Sequence, residues 1–160
     1  MKFGTAQAER LRIDSNGHVT MPQQSAFMAT SSSQSNLATS NTLAFGNEVF
    51  DQNADYNNSN YIFTAPVTGR YQLNATIRTD NLDTAANYIR IFLKTSNRNY
   101  EAIYDLGGLS GDPSYWTFTL TALADMDAND NAFLEWSQSG GASQAGIGNV
   151  ESSYSGYLVA

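Results

Sequence analysis

Residues 45–75 read FGNEVFDQNADYNNSNYIFTAPVTGRYQLNA, and their second half decides the fold. From 70 to 78 the chain alternates: Tyr71, Leu73, Ala75 and Ile77 point one way, and Arg70, Gln72, Asn74, Thr76 and Arg78 the other. A period of two held over this length predicts a strand with one buried face. Just before it, Pro66 and Gly69 bracket a turn, with Pro fixing φ and Gly permitting a left-handed backbone.

The neighbouring segments carry the same signal. Residues 115–124 place Trp116, Phe118, Leu120 and Ala122 inward and Thr117, Thr119 and Thr121 outward. Residues 87–95 (NYIRIFLKT) are apolar on both faces, with Ile89, Ile91 and Leu93 on one and Tyr88 and Phe92 on the other. Their β-branched and aromatic content favours a strand over a helix, and a strand apolar on both faces has to be covered on both. Shorter strands are expected at 24–30, 42–45, 48–50, 61–65, 100–104 and 132–136. Between them lie a Ser/Asn/Thr-rich run at 31–41 with little to bury and an Asn-rich turn at 51–60. Two further loops follow, GGLSGDP at 107–113 and a Gly/Ser/Ala-rich one at 138–149. Eight to ten short strands with turn signals predict an all-β, two-sheet antiparallel sandwich.

The composition of the 160 residues agrees. Charged residues are only 14%, and 16 Asn, 17 Ser and 14 Thr fill the polar positions, which suits strands and polar loops more than helices. A net charge of −7 argues against a nucleic-acid partner. No apolar run reaches the roughly 20 residues that span a bilayer, so no membrane insertion is expected. Cysteine is absent, which fits poorly with a disulfide-stapled secreted domain.

Phe45, Asp51, Tyr56, Phe63, Gly69 and Tyr71 fall where the globular-head family of the complement first-component q subunit places Phe, Asn/Asp, an aromatic, Phe, Gly and Tyr. FTAPVTGRY resembles that family's Phe-x-Ala-Pro-x-x-Gly-x-Tyr core, and the closing YSGYLVA resembles its terminal Phe-Ser-Gly-Phe-Leu strand. SAF at 25–27 and DANDNAFLEW at 127–136 are similar in place, whereas Leu73 and Ala75 stand where the family has aromatics. The resemblance covers about 25–159. It implies the jelly roll that this family shares with the tumour necrosis factor ligands. It also implies a homotrimer in which a neighbouring subunit covers the second face of 87–95.

Residues 1–22 read as a separate arm, leaving 23–160 as the head. Leu11 and Ile13 alternate with Arg10, Arg12 and Asp14. Asn16-Gly17 supplies a tight turn, after which Val19 and Met21 resume the alternation. A lone hairpin cannot bury its apolar face and needs partners. ERLRIDSNGHV resembles a short motif of bacteriophage tail-fibre proteins, which implies a trimeric stalk and a virion location.

Catalytic chemistry finds little support. The only histidine, His18, sits in the arm, so the head has no Ser-His-Asp triad. With no cysteine there is no thiol nucleophile or zinc site. Carboxylates at Asp80 and Asp83, Asp105 and Asp112, or Glu135 and Glu151 would have to converge to cleave a glycan. No enzyme activity and no organic cofactor are expected. DMDAND places Asp125, Asp127, Asn129 and Asp130 with the alternating oxygens of a calcium loop. Asp130 stands where the sharp turn needs Gly and Trp136 where the bidentate Glu belongs, so this is no EF-hand. The resemblance to the complement-type family leaves Ca2+ open, since some relatives of that family bind it in loops. For a ligand surface, aromatics beside amide-rich loops supply stacking and hydrogen bonds. The candidates are Tyr56, Tyr100, Asp112, Tyr115, Ser139 and Gln144, with the loops 107–115 and 138–149 as the surface. Together these readings lead to a trimeric fibre-tip head that binds a host-cell surface glycan or protein. A structural trimerisation cap and a secreted recognition module are the alternatives.

Overall fold

A computed structural model describes residues 1–6, 8–148 and 150–160. Gln7 in the expected arm and Asn149 at the end of the expected loop 138–149 lie outside the described residues. There are three sheets, and no helix among the described residues. The arm is a small antiparallel sheet of β1 (Lys2–Thr5), β2 (Ala8–Ile13) and β3 (Val19–Thr20). Its β2–β3 turn forms at the expected Asn16-Gly17, with Gly17 at φ 87°. Asp14 closes the turn by accepting the N–H groups of Asn16 and His18 at 2.8 and 2.9 Å.

The head begins with β4 (Ala26–Thr30), β5 (Ser40–Thr42), β6 (Asn47–Asp51), β7 (Tyr56–Asn57) and β8 (Ile62–Thr64). It continues with β9 (Gly69–Asp80), β10 (Ala86–Thr95), β11 (Asn99–Tyr104) and β12 (Tyr115–Met126). β13 (Asn131–Gly140), β14 (Gly146–Ile147) and β15 (Ser153–Leu158) complete it. One sheet runs β11-β10-β13-β8-β7 with β5 also on β13; the other runs β12-β9-β15-β4-β6 with β14 also on β9. The expected two-sheet jelly-roll sandwich is what forms.

β9 is the spine. Tyr71, Leu73, Ala75, Ile77 and Thr79 are buried and the alternate positions are not, as the alternation predicts. All twelve of its residues pair with β12, from Gly69↔Met126 to Asp80↔Tyr115. Its start is fastened by the Tyr71 hydroxyl, which donates to Val67 O at 2.7 Å across the turn. Gly69 is needed for another reason than the one expected. It does not adopt a positive φ; a Cβ there would sit 2.6 Å from Ala160 O and 2.7 Å from Leu158 Cδ1. The glycine admits the chain's own C-terminal strand.

Aromatic rings join the two sheets. Phe27 of β4 stacks on Tyr56 of β7 at 4.7 Å and on Phe63 of β8 at 4.8 Å, and Tyr154 of β15 meets Phe27 edge-on at 5.0 Å. Trp136, Ile89, Ile91, Leu93, Phe118 and Ala122 continue the core beneath. Gly156 makes room for the cluster, since a Cβ there would lie 2.5 Å from Leu73 Cδ2 and 2.8 Å from Phe27 Cε1.

Several expectations are corrected. The strand expected at 42–45 keeps only Thr42; Leu43 still donates its N–H to Leu134 O at 3.0 Å, and Ala44 and Phe45 then leave the ladder, all three buried in the core. The run 31–41 does bury something: Leu37 is in the core, and Ser31 is buried with its hydroxyl on Gly148 O. Trp116, expected inward, is 37% exposed. Strand β10 does not have two equally buried faces. Ile89, Ile91 and Leu93 are inside, while Tyr88 and Phe92 are half-buried under this chain's own cations. The Arg90 guanidinium lies 4.9 and 5.0 Å from the two ring centres and Lys94 Nζ 5.4 Å from Phe92, so the long stems cover the rings and keep the charges wet.

Two outcomes test this packing. Gly156→Ala should lower stability by about 1–3 kcal/mol, because an added methyl meets a closed core; an unchanged urea midpoint would contradict it. Asp55 is the second case. Its Oδ2 is buried without a hydrogen-bond partner. Burial pushes the carboxyl up, the nearby Ser25 hydroxyl offsets part of this, and Asp51 adds to the rise. A raised folded value means that the stabilising contribution is full below the unfolded value and is lost as pH rises through the folded one. Asp55→Asn should therefore unfold later than wild type at pH 7, with the gap closing toward pH 4. A less stable variant at pH 7 would show that the carboxylate is needed.

Candidate recognition site at the loop end

The register of β9 separates two ends. The arm reaches β4 beside the start of β9, where the Gln52 amide holds Met21 O and Gln24 O at 2.9 and 2.6 Å. The other end of β9 lies about 35 Å away at some 3.3 Å per residue. There the connections β4–β5, β9–β10, β11–β12 and β13–β15 meet.

Asp112, on the β11–β12 connection, ties this end together. Its Oδ1 accepts the Thr84 N–H and the Thr84 hydroxyl, both at 2.8 Å, and its Oδ2 accepts Gln144 Nε2 at 3.1 Å. The Thr84 N–H first, then its hydroxyl and the Gln144 amide, hold the Asp112 carboxyl below its ordinary 3.8. The backbone reinforces the junction: Asn81 N–H donates to Ser114 O at 3.1 Å, Leu82 N–H to Pro113 O at 3.2 Å and Leu37 N–H to Ala145 O at 2.8 Å. An open pocket of about 450 Å³ remains, lined by Asn36, Asn81, Asp112, Pro113, Ser114 and Gln144. Asn36 and Asn81 both sit in the left-handed region, at φ 55° and 53°, a conformation that Asn tolerates better than most side chains. Beside Ser114, the Tyr115 ring is 65% exposed, with the Arg78 guanidinium 4.6 Å from its centre. Arg78 in turn is paired to Glu151 at 3.0 Å and Asp80 at 3.3 Å.

The two loops expected to form a surface therefore do meet, through Asp112 and Gln144, with Tyr115 at their edge. The other candidates lie elsewhere. Tyr56 is in the core, 5% exposed, with its hydroxyl donating to Phe45 O at 2.8 Å; it offers a ligand nothing, which corrects the expectation. Tyr100 is half-buried against the core at the start of β11, on the arm side. Ser139 points outward from β13, with the Asn87 amide 3.5 Å from its hydroxyl.

The acidic turn also lies at the arm end, closed on itself. Asp125 receives Arg98 Nη2 at 2.6 Å, Asp130 accepts the Asp127 N–H at 2.8 Å, and Thr68 Oγ1 lies 3.4 Å from Asp127. Asn129 takes φ 75° and donates to Ala65 O at 2.8 Å. Among the described residues no group of three or more His, Asp or Glu is placed to hold a metal. The carboxylates weighed for glycan cleavage are likewise engaged separately. Asp83 accepts the N–H groups of Ala85 and Ala142, Asp105 accepts Gly107 N–H, and Glu135 pairs with Lys94. Reading the residues in order missed Asn36 and Asn81. Only the fold brings the 31–41 run against the end of β9, and a left-handed φ leaves no mark in the residue order.

Residues 26–159 match the C1q domain family, and the chain belongs to it. No curated protein matches the chain. Among solved structures, the globular domain of zebrafish complement 1qA superposes with a TM-score of 0.65 at 14% identity, covering 86% of this chain and 98% of that one. Murine APRIL superposes with a TM-score of 0.62 at 9% identity, covering 86% of this chain and all of that one. A second structure of murine APRIL gives 0.59 at 8%. At these identities the likeness is one of fold. Domains of this fold are typically non-enzymatic recognition modules that commonly form homotrimers.

Asp112→Ala should free the Thr84 amide and release Gln144 while leaving the core intact. The expected result is hydrogen exchange at Thr84 faster by at least about tenfold with a nearly unchanged urea midpoint. Unchanged protection at Thr84 would show that the junction does not depend on the carboxylate. Acid should act alike: the depressed value means that this contribution is present above pH 3.8 and lost as pH falls through the lower folded value.

Proposed function

We propose that the chain is a non-enzymatic, homotrimeric head at the tip of a virion fibre, which binds a glycan or protein of the host surface through its loop end. The observation that carries this reading is polarity of layout. The arm, whose ERLRIDSNGHV is similar to tail-fibre sequence, leaves one end of β9, and the amide-lined pocket lies at the other. An attached stalk would then point the pocket away from the particle.

The sheet β12-β9-β15-β4-β6 supplies the trimer contact in this reading. Its outer face holds register-matched rows: Leu123, Gln72, Tyr157 and Ala26, then Thr121, Asn74, Ser155, Met28 and Phe50. Leu123, Tyr157 and Phe50 are about half exposed. These rows contain no charge, as an interface core prefers. The opposite sheet carries Arg90, Lys94, Glu101 and Glu135 outward, which suits solvent. Three copies of a weak pocket on one rigid head would gain affinity through effective concentration. The C1q family match also favours a secreted recognition module without a virion, which differs in location and not in the site.

Fluorescently labelled protein applied to a panel of bacterial strains tests the reading. Saturable labelling of one or more strains is expected. Tyr157→Glu, a charge on the proposed contact, should weaken it by at least about tenfold through lost avidity. Absence of labelling across strains that a fibre-bearing phage adsorbs to would overturn the proposal, as would full labelling by a monomeric variant.

A further inference from the structure

We propose that the loop-end pocket takes an uncharged saccharide, held through its hydroxyl groups by side-chain amides, and turns away acidic glycans. This rests on reading that end as the recognition face and names the chemistry it accepts.

The pocket wall is amide and carboxylate with no cation. Of its six residues, Asn36, Asn81 and Gln144 present carboxamides, Asp112 a carboxylate and Ser114 a hydroxyl. Gln144 is oriented, because its Nε2 is given to Asp112, which turns its oxygen elsewhere. Among the described residues the amides of Asn36 and Asn81 make no side-chain hydrogen bond, so both a donor and an acceptor remain on each. A planar amide can engage two neighbouring hydroxyls of a sugar ring at once, donating to one and accepting from the other, whereas a carboxylate only accepts; neither needs a charge on the ligand. Asp112 keeps acceptor capacity after its three internal bonds, and a sugar hydroxyl could donate to it. Pro113 adds a small apolar edge for the C–H face of a sugar.

The same wall is unfavourable to an anion. Phosphate, sulfate and carboxylate groups are recognised by Arg or Lys forks, and none lines this pocket. Arg78, the cation nearest in sequence to Asn81, is held by Glu151 and Asp80 and lies under Tyr115. A uronic acid, sialic acid or phosphodiester brought here would face the Asp112 carboxylate with nothing to offset it.

The test presents immobilised protein with dextran, mannan and N-acetylglucosamine oligomers, and with polygalacturonate, polysialic acid and polyglycerolphosphate. Binding to at least one uncharged probe and to no acidic one is expected, unchanged between about 50 and about 500 mM NaCl. In the double variant Asn36→Gly and Asn81→Gly that binding should fall by at least about tenfold. Its thermal midpoint should hold or rise, since glycine takes the left-handed φ of Asn36 and Asn81 freely. Binding of an acidic probe that salt suppresses would overturn the inference, as would uncharged-probe binding untouched by the double variant. Protein that labels cells yet binds no uncharged probe would also sink it while leaving the recognition reading standing. Protein that labels neither cells nor probes would remove both.

Discussion

The structure depends on the contact of Phe27 with Tyr56, Phe63 and Tyr154. Two sheets of a sandwich hold together only through what their inner faces share, and without cysteine this chain has no covalent link to help. Here the shared material is a set of rings from β4 and β15 on one sheet and β7 and β8 on the other, 4.7–6.0 Å apart. Truncating Phe27 would forfeit about 3–5 kcal/mol, comparable to a large part of the stability of a domain this size. Its closeness explains Gly156 in the last strand, where no side chain fits, and the short β7 and β8, which exist to bring Tyr56 and Phe63 into place. Once β15 is seated by these rings, Leu158 and Ala160 lie against Gly69 and secure the start of β9.

From that anchored start, β9 and β12 run side by side for twelve residues. Their length makes the molecule two-ended. At the arm end several polar groups answer one another, Arg98 with Asp125, Asp127 with Asp130 and Gln52 with Met21 and Gln24, while Asp55 Oδ2 stays buried without a partner. At the loop end one carboxylate, Asp112, gathers the connections, and two asparagine amides are left over. Satisfied polar groups stabilise a fold, and unsatisfied ones at a concave, rigidly held surface are what a ligand can use.

Much of the fold was legible in the residue order. The alternation at 70–78 and 115–124, the turn at Pro66 and the YSGYL ending each mark a local requirement. Where the reading failed, a tertiary contact had overridden a local pattern. Leu43–Phe45 look like a strand and instead turn into the core. Phe92 and Tyr88 look like a second fully apolar face and are half-buried beneath Arg90 and Lys94 two residues away. The site was half legible. Asp112, Tyr115 and Gln144 were reachable because exposed amides and aromatics in Gly-rich loops are the usual makings of a contact. Tyr56 was misassigned because burial cannot be read from a short two-residue strand, and Asn36 and Asn81 were invisible because their juxtaposition is a property of four connections at once.

The proposed trimer shares the two uncharged middle rows of one sheet and points its loop ends outward together. Light scattering on the full chain at submicromolar concentration, with and without a calcium chelator, tests this most directly. A mass of three chains, unchanged by the chelator, is predicted. A single-chain mass would contradict the account, because the face bearing Leu123, Tyr157, Met28 and Phe50 would then be solvent-exposed in the working molecule and no set of pockets would act together.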